Sequence, residues 1–197
     1  MAGPFDLTQV VGTGTISQSY TVTVQEPNSI LILGSYGYID ESGLAFTYDG
    51  LALTQAALYD HTSINYLLNP PVGAHTLASE AFEDVYALFV MVFTECRIAN
   101  PVGTSADAAD VSLNVTAGVN SVVLDVIKAN TNILVDPSQT QIGTTVRVLH
   151  DSAYVGMSYE STMAGGTVNM LWSGGYQQFQ HTGVALNLEA LPSVVWW

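Results

Sequence analysis

The sequence predicts an all-β protein, an antiparallel two-sheet sandwich with jelly-roll-like topology, and an immunoglobulin-like arrangement as second choice. Three observations carry this. Apolar and polar residues alternate with a period of two nearly everywhere, which suits half-buried strands and not helices. Gly, Asn, Asp, Ser and Pro interrupt the apolar runs at short intervals. About twelve to fourteen short strands can be counted, a number that suits two sheets packed face to face. With 197 residues, 48% of them apolar, the chain can fill a substantial core.

The elements follow in order. Tyr20-Thr21-Val22-Thr23-Val24 alternates polar with apolar. Ser29-Ile30-Leu31-Ile32-Leu33 is a buried strand that runs into Gly34-Ser35-Tyr36-Gly37-Tyr38. Leu44-Ala45-Phe46-Thr47-Tyr48 leads to Asp49-Gly50, a hairpin signal because both residues tolerate positive φ, and Leu51-Ala52-Leu53-Thr54 returns from it. Ser63-Ile64-Asn65-Tyr66-Leu67-Leu68 is stopped by Asn69-Pro70-Pro71-Val72-Gly73, where proline removes donors and glycine permits a turn. Ala74-His75-Thr76-Leu77 follows. Further strands are expected at 85–94, 110–116, 120–128, 144–150, 153–160, 166–172 and 178–189. One helical turn each fits 54–58 and 78–84, and 129–143 reads as a loop around Pro137. No internal repeat of fixed period stands out. The most linker-like stretch, 99–109, reads as a long crossover inside a single sandwich of residues 15–190, flanked by an N-terminal arm, 1–14, and an apolar tail, 191–197.

Three Lys and Arg (Arg97, Lys128, Arg147) stand against 17 Asp and Glu, a formal charge of −14. The surface is therefore neutral and polar with scattered carboxylates. Such a chain lacks the basic surface that neutralises phosphates, which speaks against nucleic acid and against anionic membranes as partners. The longest apolar run, Val85 through Phe93, is far short of the roughly 20 residues a membrane helix needs. The first residues show neither a basic region nor an apolar core, so no signal peptide is visible. The single cysteine, Cys96, excludes an intrachain disulfide and reads as a small buried apolar residue.

Taken in order, several segments resemble one family. They are Thr47-Tyr48-Asp49-Gly50-Leu51-Ala52-Leu53-Thr54, Ile64-Asn65-Tyr66-Leu67-Leu68-Asn69-Pro70-Pro71-Val72-Gly73-Ala74-His75-Thr76 and Asn120-Ser121-Val122-Val123-Leu124-Asp125-Val126. Ser158-Tyr159-Glu160, Gly165-Gly166-Thr167-Val168-Asn169-Met170-Leu171-Trp172 and Gly183-Val184-Ala185-Leu186-Asn187 complete the set. Together they resemble a β-sandwich domain family of phage structural and bacterial surface proteins, with the pattern TYxGxxLT followed by YLxNPPxGxHT. The resemblance covers roughly residues 20–190 and departs from the pattern at Asn65, which stands where tryptophan is usual. It implies a structural module of a virion or cell surface and carries no catalytic residues.

Catalytic spacing is otherwise missing. The histidines are His61, His75, His150 and His181; Asp60-His61 and His150-Asp151 are sequence neighbours, which on a strand point to opposite faces. No metal-binding His or Cys spacing, nucleophile elbow or phosphate loop occurs. Glu80, Glu83 and Asp84 are the candidate carboxylates for a glycan-cleaving enzyme, the weakest reading. No cofactor is expected; loop oxygens of an acidic chain can hold a structural calcium, although the dense Asp/Asn spacing of a calcium loop is absent. Asn114-Val115-Thr116 fits the N-glycosylation pattern by chance.

The aromatic and terminal residues are more informative. Val194, Val195, Trp196 and Trp197 end the chain with large apolar side chains that need a groove, on the same subunit or a neighbour. Phe5, on an arm jointed at Gly12-Thr13-Gly14, is a second candidate contact. The expected function is thus a non-enzymatic structural protein of a virus particle, a bacteriophage capsid decoration or tail component. It would act in the virion as a homo-oligomer or within a larger assembly of structural proteins. The alternative is a carbohydrate-binding or adhesive module, extracellular or on a cell surface, with Tyr36, Tyr38 and Tyr176 as sugar contacts.

Overall fold

The computed structural model describes residues 19–37, 45–79, 85–93, 96–100, 105–148, 152–162, 164–174 and 179–190. These contain eighteen strands and no helix. The first half comprises β1 (Tyr20–Val24), β2 (Ile30–Gly37), β3 (Phe46–Tyr48), β4 (Leu51–Ala52), β5 (Thr54–Tyr59), β6 (Thr62–Leu68), β7 (Gly73–Ser79) and β8 (Val85–Phe93). The second comprises β9 (Cys96–Asn100), β10 (Ser105–Ala108), β11 (Ser112–Ala117), β12 (Ser121–Ala129), β13 (Ile133–Val135), β14 (Thr140–Gln141), β15 (Val146–Val148), β16 (Ala153–Thr162), β17 (Gly166–Gly174) and β18 (Gln180–Ala190).

The all-β sandwich expected from the sequence is present, and the stack is deeper than two sheets. Four antiparallel sheets lie in layers: A (β1-β7-β3-β4), B (β5-β6-β2-β8), C (β10-β18-β12-β16-β14, with β9 on β18 and β15 on β16) and D (β11-β17-β13). Three apolar layers separate them. Val22, Val24, Phe46, Tyr48 and Leu77 meet Leu31, Leu33, Leu88, Val90 and Val92 between A and B. Ile30, Ile32, Phe89 and Met91 meet Val122, Leu124, Val126, Val155, Met157 and Val184 between B and C. Leu113, Val115, Val168 and Met170 close on Val123 and Ala185 between C and D, where Trp172 packs with Ile127 and Ile133.

This layering explains the sequence pattern. Strands β2 and β12 are buried along their whole length because alternate residues enter two different cores, so they read as continuous apolar runs. Strands of A and D have one wet face: β1, β11 and β17 alternate between buried and exposed. In each half the strands are divided between two sheets that pack face to face, and most connections cross from one sheet to the other.

Three expectations change. Residues 54–58 form β5, not a helical turn; a bulge between Gln55 and Ala57 breaks the alternation that would have marked a strand. The stretch 129–143 contains β13 and β14, each too short to show a period, paired with β17 and β16. The linker-like stretch 99–109 carries the end of β9 and all of β10, both paired with β18. Of 78–84, the described residues extend β7 to Ser79.

The fold also repeats itself, which the sequence does not show at any fixed period. The order β1-β7-β3 in A returns as β11-β17-β13 in D, and β5-β6-β2-β8 in B returns as β14-β16-β12-β18 in C. Matching turns carry matching backbone: Asn28 (φ 54°) and Asn120 (φ 56°) are 92 residues apart (120 − 28), as are Asp60 (φ 51°) and Ser152 (φ 55°) (152 − 60). Ser29 Oγ donates to Glu26 O at 2.6 Å, and Ser121 Oγ donates to Gly118 O at 2.9 Å. Around the middle layer β5 packs on β18, and β15, which pairs with the same strand as β14, packs on β8.

Candidate functional site

The chemistry-bearing side chains gather in three clusters. The most buried lies between C and D. Asp125 on β12 and His181 on β18 are both wholly inaccessible. Asp125 Oδ1 accepts from Ser158 N at 3.0 Å and from Ser158 Oγ at 2.6 Å. Its Oδ2 accepts from Trp172 Nε1 at 2.7 Å and meets His181 Nε2 at 2.8 Å. His181 Nδ1 lies 3.1 Å from Asp110 O, a carbonyl that can only accept. Gln139 Nε2 donates to Ser158 Oγ at 2.6 Å, and Gln139 Oε1 accepts from Leu171 N at 2.6 Å. One carboxylate thus ties together β12, β16, β17, β18 and the loop before β14. Walled from solvent, it holds sheets together and offers no face to a substrate.

The second cluster joins the Tyr48-Asp49-Gly50 turn to the Pro70–His75 stretch. Tyr48 OH donates to Val22 O (3.1 Å) and to Gly73 O (3.2 Å), and its ring meets His75 edge-on at 5.5 Å. His75 Nδ1 lies 3.3 Å from Asp49 Oδ2, and His75 Nε2 lies 3.2 Å from Val72 O. Burial pushes the Tyr48 phenol above its ordinary range, and the neighbouring Asp49 charge adds to this. Tyr-Asp-Gly and Pro-Pro-Val-Gly-Ala-His are therefore one physical unit: a hairpin turn locked to a proline loop. Gly73 starts β7 at φ 120°, a conformation in which side chains are strained.

The third cluster sits at one end of the seam between B and C. Thr62 Oγ1 and Thr182 Oγ1 are 2.6 Å apart, and Gln180 Nε2 donates to an Asp60 carboxylate oxygen. Asp60 Oδ1 is 3.4 Å from His61 Nε2. Lys128 Nζ lies 6.0 Å from the centre of the Tyr36 ring, which His61 meets edge-on.

Tyr36, expected at a sugar-facing turn, is only 3% exposed, because its position on β2 turns it into the core between B and C. The other sugar candidates, Tyr38 and Tyr176, and the interface candidates Phe5, Val194, Val195, Trp196 and Trp197 lie outside the described residues, as do Glu80, Glu83, Asp84 and His150. Asn114 is exposed on the outer face of D, its Oδ1 accepting from Asn169 Nδ2 at 2.8 Å. Among the described residues no three His, Cys, Asp or Glu side chains converge. The Asp125 cluster was not legible: its members are spread from Asp110 to His181 and share no spacing, and the one signal is an aspartate inside the apolar run of β12.

Among the described residues the outer faces of the stack carry no charged side chain. Thr21, Thr23, Ala74 and Thr76 are exposed on A, and Asn114, Thr116, Thr167 and Asn169 on D. No protein family, curated protein or solved structure matches this chain.

Proposed function

We propose that this chain is a non-enzymatic structural protein of a virus particle, a phage capsid decoration or tail component that associates with itself or docks on other virion proteins. The observation that carries this reading is the four-layer stack whose described outer-face residues are uncharged, on a chain of net charge −14. A rigid body with neutral polar faces suits repeated close packing, while the surrounding carboxylates keep it off nucleic acid. The resemblance to phage and surface β-sandwich domains supports the same reading, since its motif residues lock the Tyr48–His75 corner. The carbohydrate-binding alternative has lost one of its three rings, Tyr36, to the interior. Mass spectrometry of purified particles is the test. Many copies of the chain per particle are expected, and its absence from every particle fraction refutes the proposal. Glycan-array binding that is lost on Tyr38→Ala or Tyr176→Ala would favour the alternative.

A further inference from the structure

The Asp125 cluster has a counterpart position in the first half, and there it is apolar. Aligning Asn28 with Asn120 sets Leu33 where Asp125 stands (33 + 92). Leu33 is paired with Asn65 on β6 and Val90 on β8; Asp125 is paired with Ser158 on β16 and Gly183 on β18. His181 precedes Gly183 by two residues as Leu88 precedes Val90, so Leu88 takes the place of His181. The core between A and B closes with Leu33 and Leu88; the core between C and D closes around a carboxylate and an imidazole.

A buried polar pair of this kind carries a desolvation cost that apolar residues of similar volume avoid. The first half demonstrates that the same strand order forms without it. What the cluster adds is selectivity. Every donor to Asp125 comes from the second half: Ser158, Trp172 and His181. The apolar pattern alone does not separate the halves, because β2 and β12 are both buried on both faces and hold corresponding places in sheets of the same order. If β12 replaced β2 between β6 and β8, Asp125 would lie among Leu88, Val90 and Asn65 and exchange three side-chain donors for at most one side-chain amide. We infer that the Asp125–His181 cluster is a sorting device: it keeps the strands of the second half from exchanging with their counterparts in the first, within one chain or between two. Buried polar groups fix pairing in this way where apolar packing alone leaves alternatives.

The test is the full-length variant Asp125→Leu/His181→Leu/Ser158→Asn, which sets the first half's residues at these three positions. Isotope-labelled and unlabelled chains are refolded together and, as a control, refolded separately and then mixed. Native mass spectrometry reads the mixed-mass species in excess of the control, which are chains that traded strands while folding. We expect at least a tenfold larger excess for the variant than for the wild type. An excess equal to wild type overturns the inference. A variant that stays unfolded without forming mixed species also overturns it, because the cluster would then serve stability alone. Asp125→Asn, closest in shape, is run beside it and is expected to show a smaller excess of the same sign.

Discussion

At the scale of single residues, Asp125 shows how completely a buried carboxylate must be satisfied before an interior accepts it. Its two oxygens take four contacts, and each supporting group is itself supported, Ser158 by Gln139 and His181 by Asp110 O. Removing one donor and removing the acceptor should therefore differ sharply. Ser158→Ala deletes the hydroxyl donor with little change of volume, an expected loss of about 1–2 kcal/mol. Asp125→Ala leaves every donor buried without an acceptor, an expected loss of about 3–5 kcal/mol. For a chain of this size these correspond to falls in Tm of roughly 2–8 °C and 6–20 °C. Thermal melts followed by circular dichroism measure both, and equal losses would mean that Asp125 is not the hub. Glu160 presents the opposite case. Burial, and then the negative charge of Asp136, push its carboxyl above the ordinary range, so the fold favours the protonated form. The stability it contributes is complete at pH values below the unfolded pKa and is lost as pH rises through the raised folded value. Glu160→Gln, which stays neutral, should melt above wild type at pH 7, and the gap should close as the buffer is taken down below about pH 4. A gap that is constant with pH would show that the charge is not the cause.

At the scale of strands, the decisive surfaces are those of β2 and β12, each serving two cores. Gly34 marks a close approach of B and C: a Cβ there would stand 2.5 Å from Met157 Sδ and 2.7 Å from Val126 Cγ2. Gly34→Ala should cost about 1–3 kcal/mol by overpacking, and Gly34→Ala combined with Met157→Ala should recover part of it; a double variant no better than the sum of the single changes would place the strain elsewhere. Much of this level was legible in the sequence. The runs through β2, β8 and β12 and the alternation of β1 and β11 locate strands because burial on two faces or one writes itself directly into composition. The number of layers was not, since a strand buried on both faces looks the same in a two-layer or a four-layer stack. Strand β5 was obscured by its bulge, and β13 and β14 by their shortness. The duplication was invisible because the halves share turn geometry and face pattern but few identities; Asn28-Ser29 and Asn120-Ser121 are the plainest trace. The site was least legible, as Asp125, Ser158 and His181 become neighbours only through the pairing of β12 with β16 and β18, and Trp172 only through the packing of β17 on them.

For the molecule as a whole, the ruling fact is an excess of carboxylates with almost no cations to offset them. A formal charge of −14 makes copies repel one another over a Debye length, about 30 Å at 0.01 M salt and about 10 Å at 0.1 M. The exposed Thr and Asn residues of A and D form the surfaces on which two copies can meet without bringing carboxylates together. Association through such faces is opposed only by the long-range field, so screening that field should promote it. Contacts built on ion pairs would weaken under the same change. Light scattering across 0.01–0.5 M sodium chloride separates the two. The average mass should rise with salt, and Thr21→Glu/Ala74→Glu on A or Asn114→Glu/Thr167→Glu on D, pairs that do not stand directly opposite each other, should suppress the rise while moving the melting curve little, since these side chains are exposed. A mass that falls with salt, or a rise that survives both pairs of substitutions, would remove the outer faces as the sites of association.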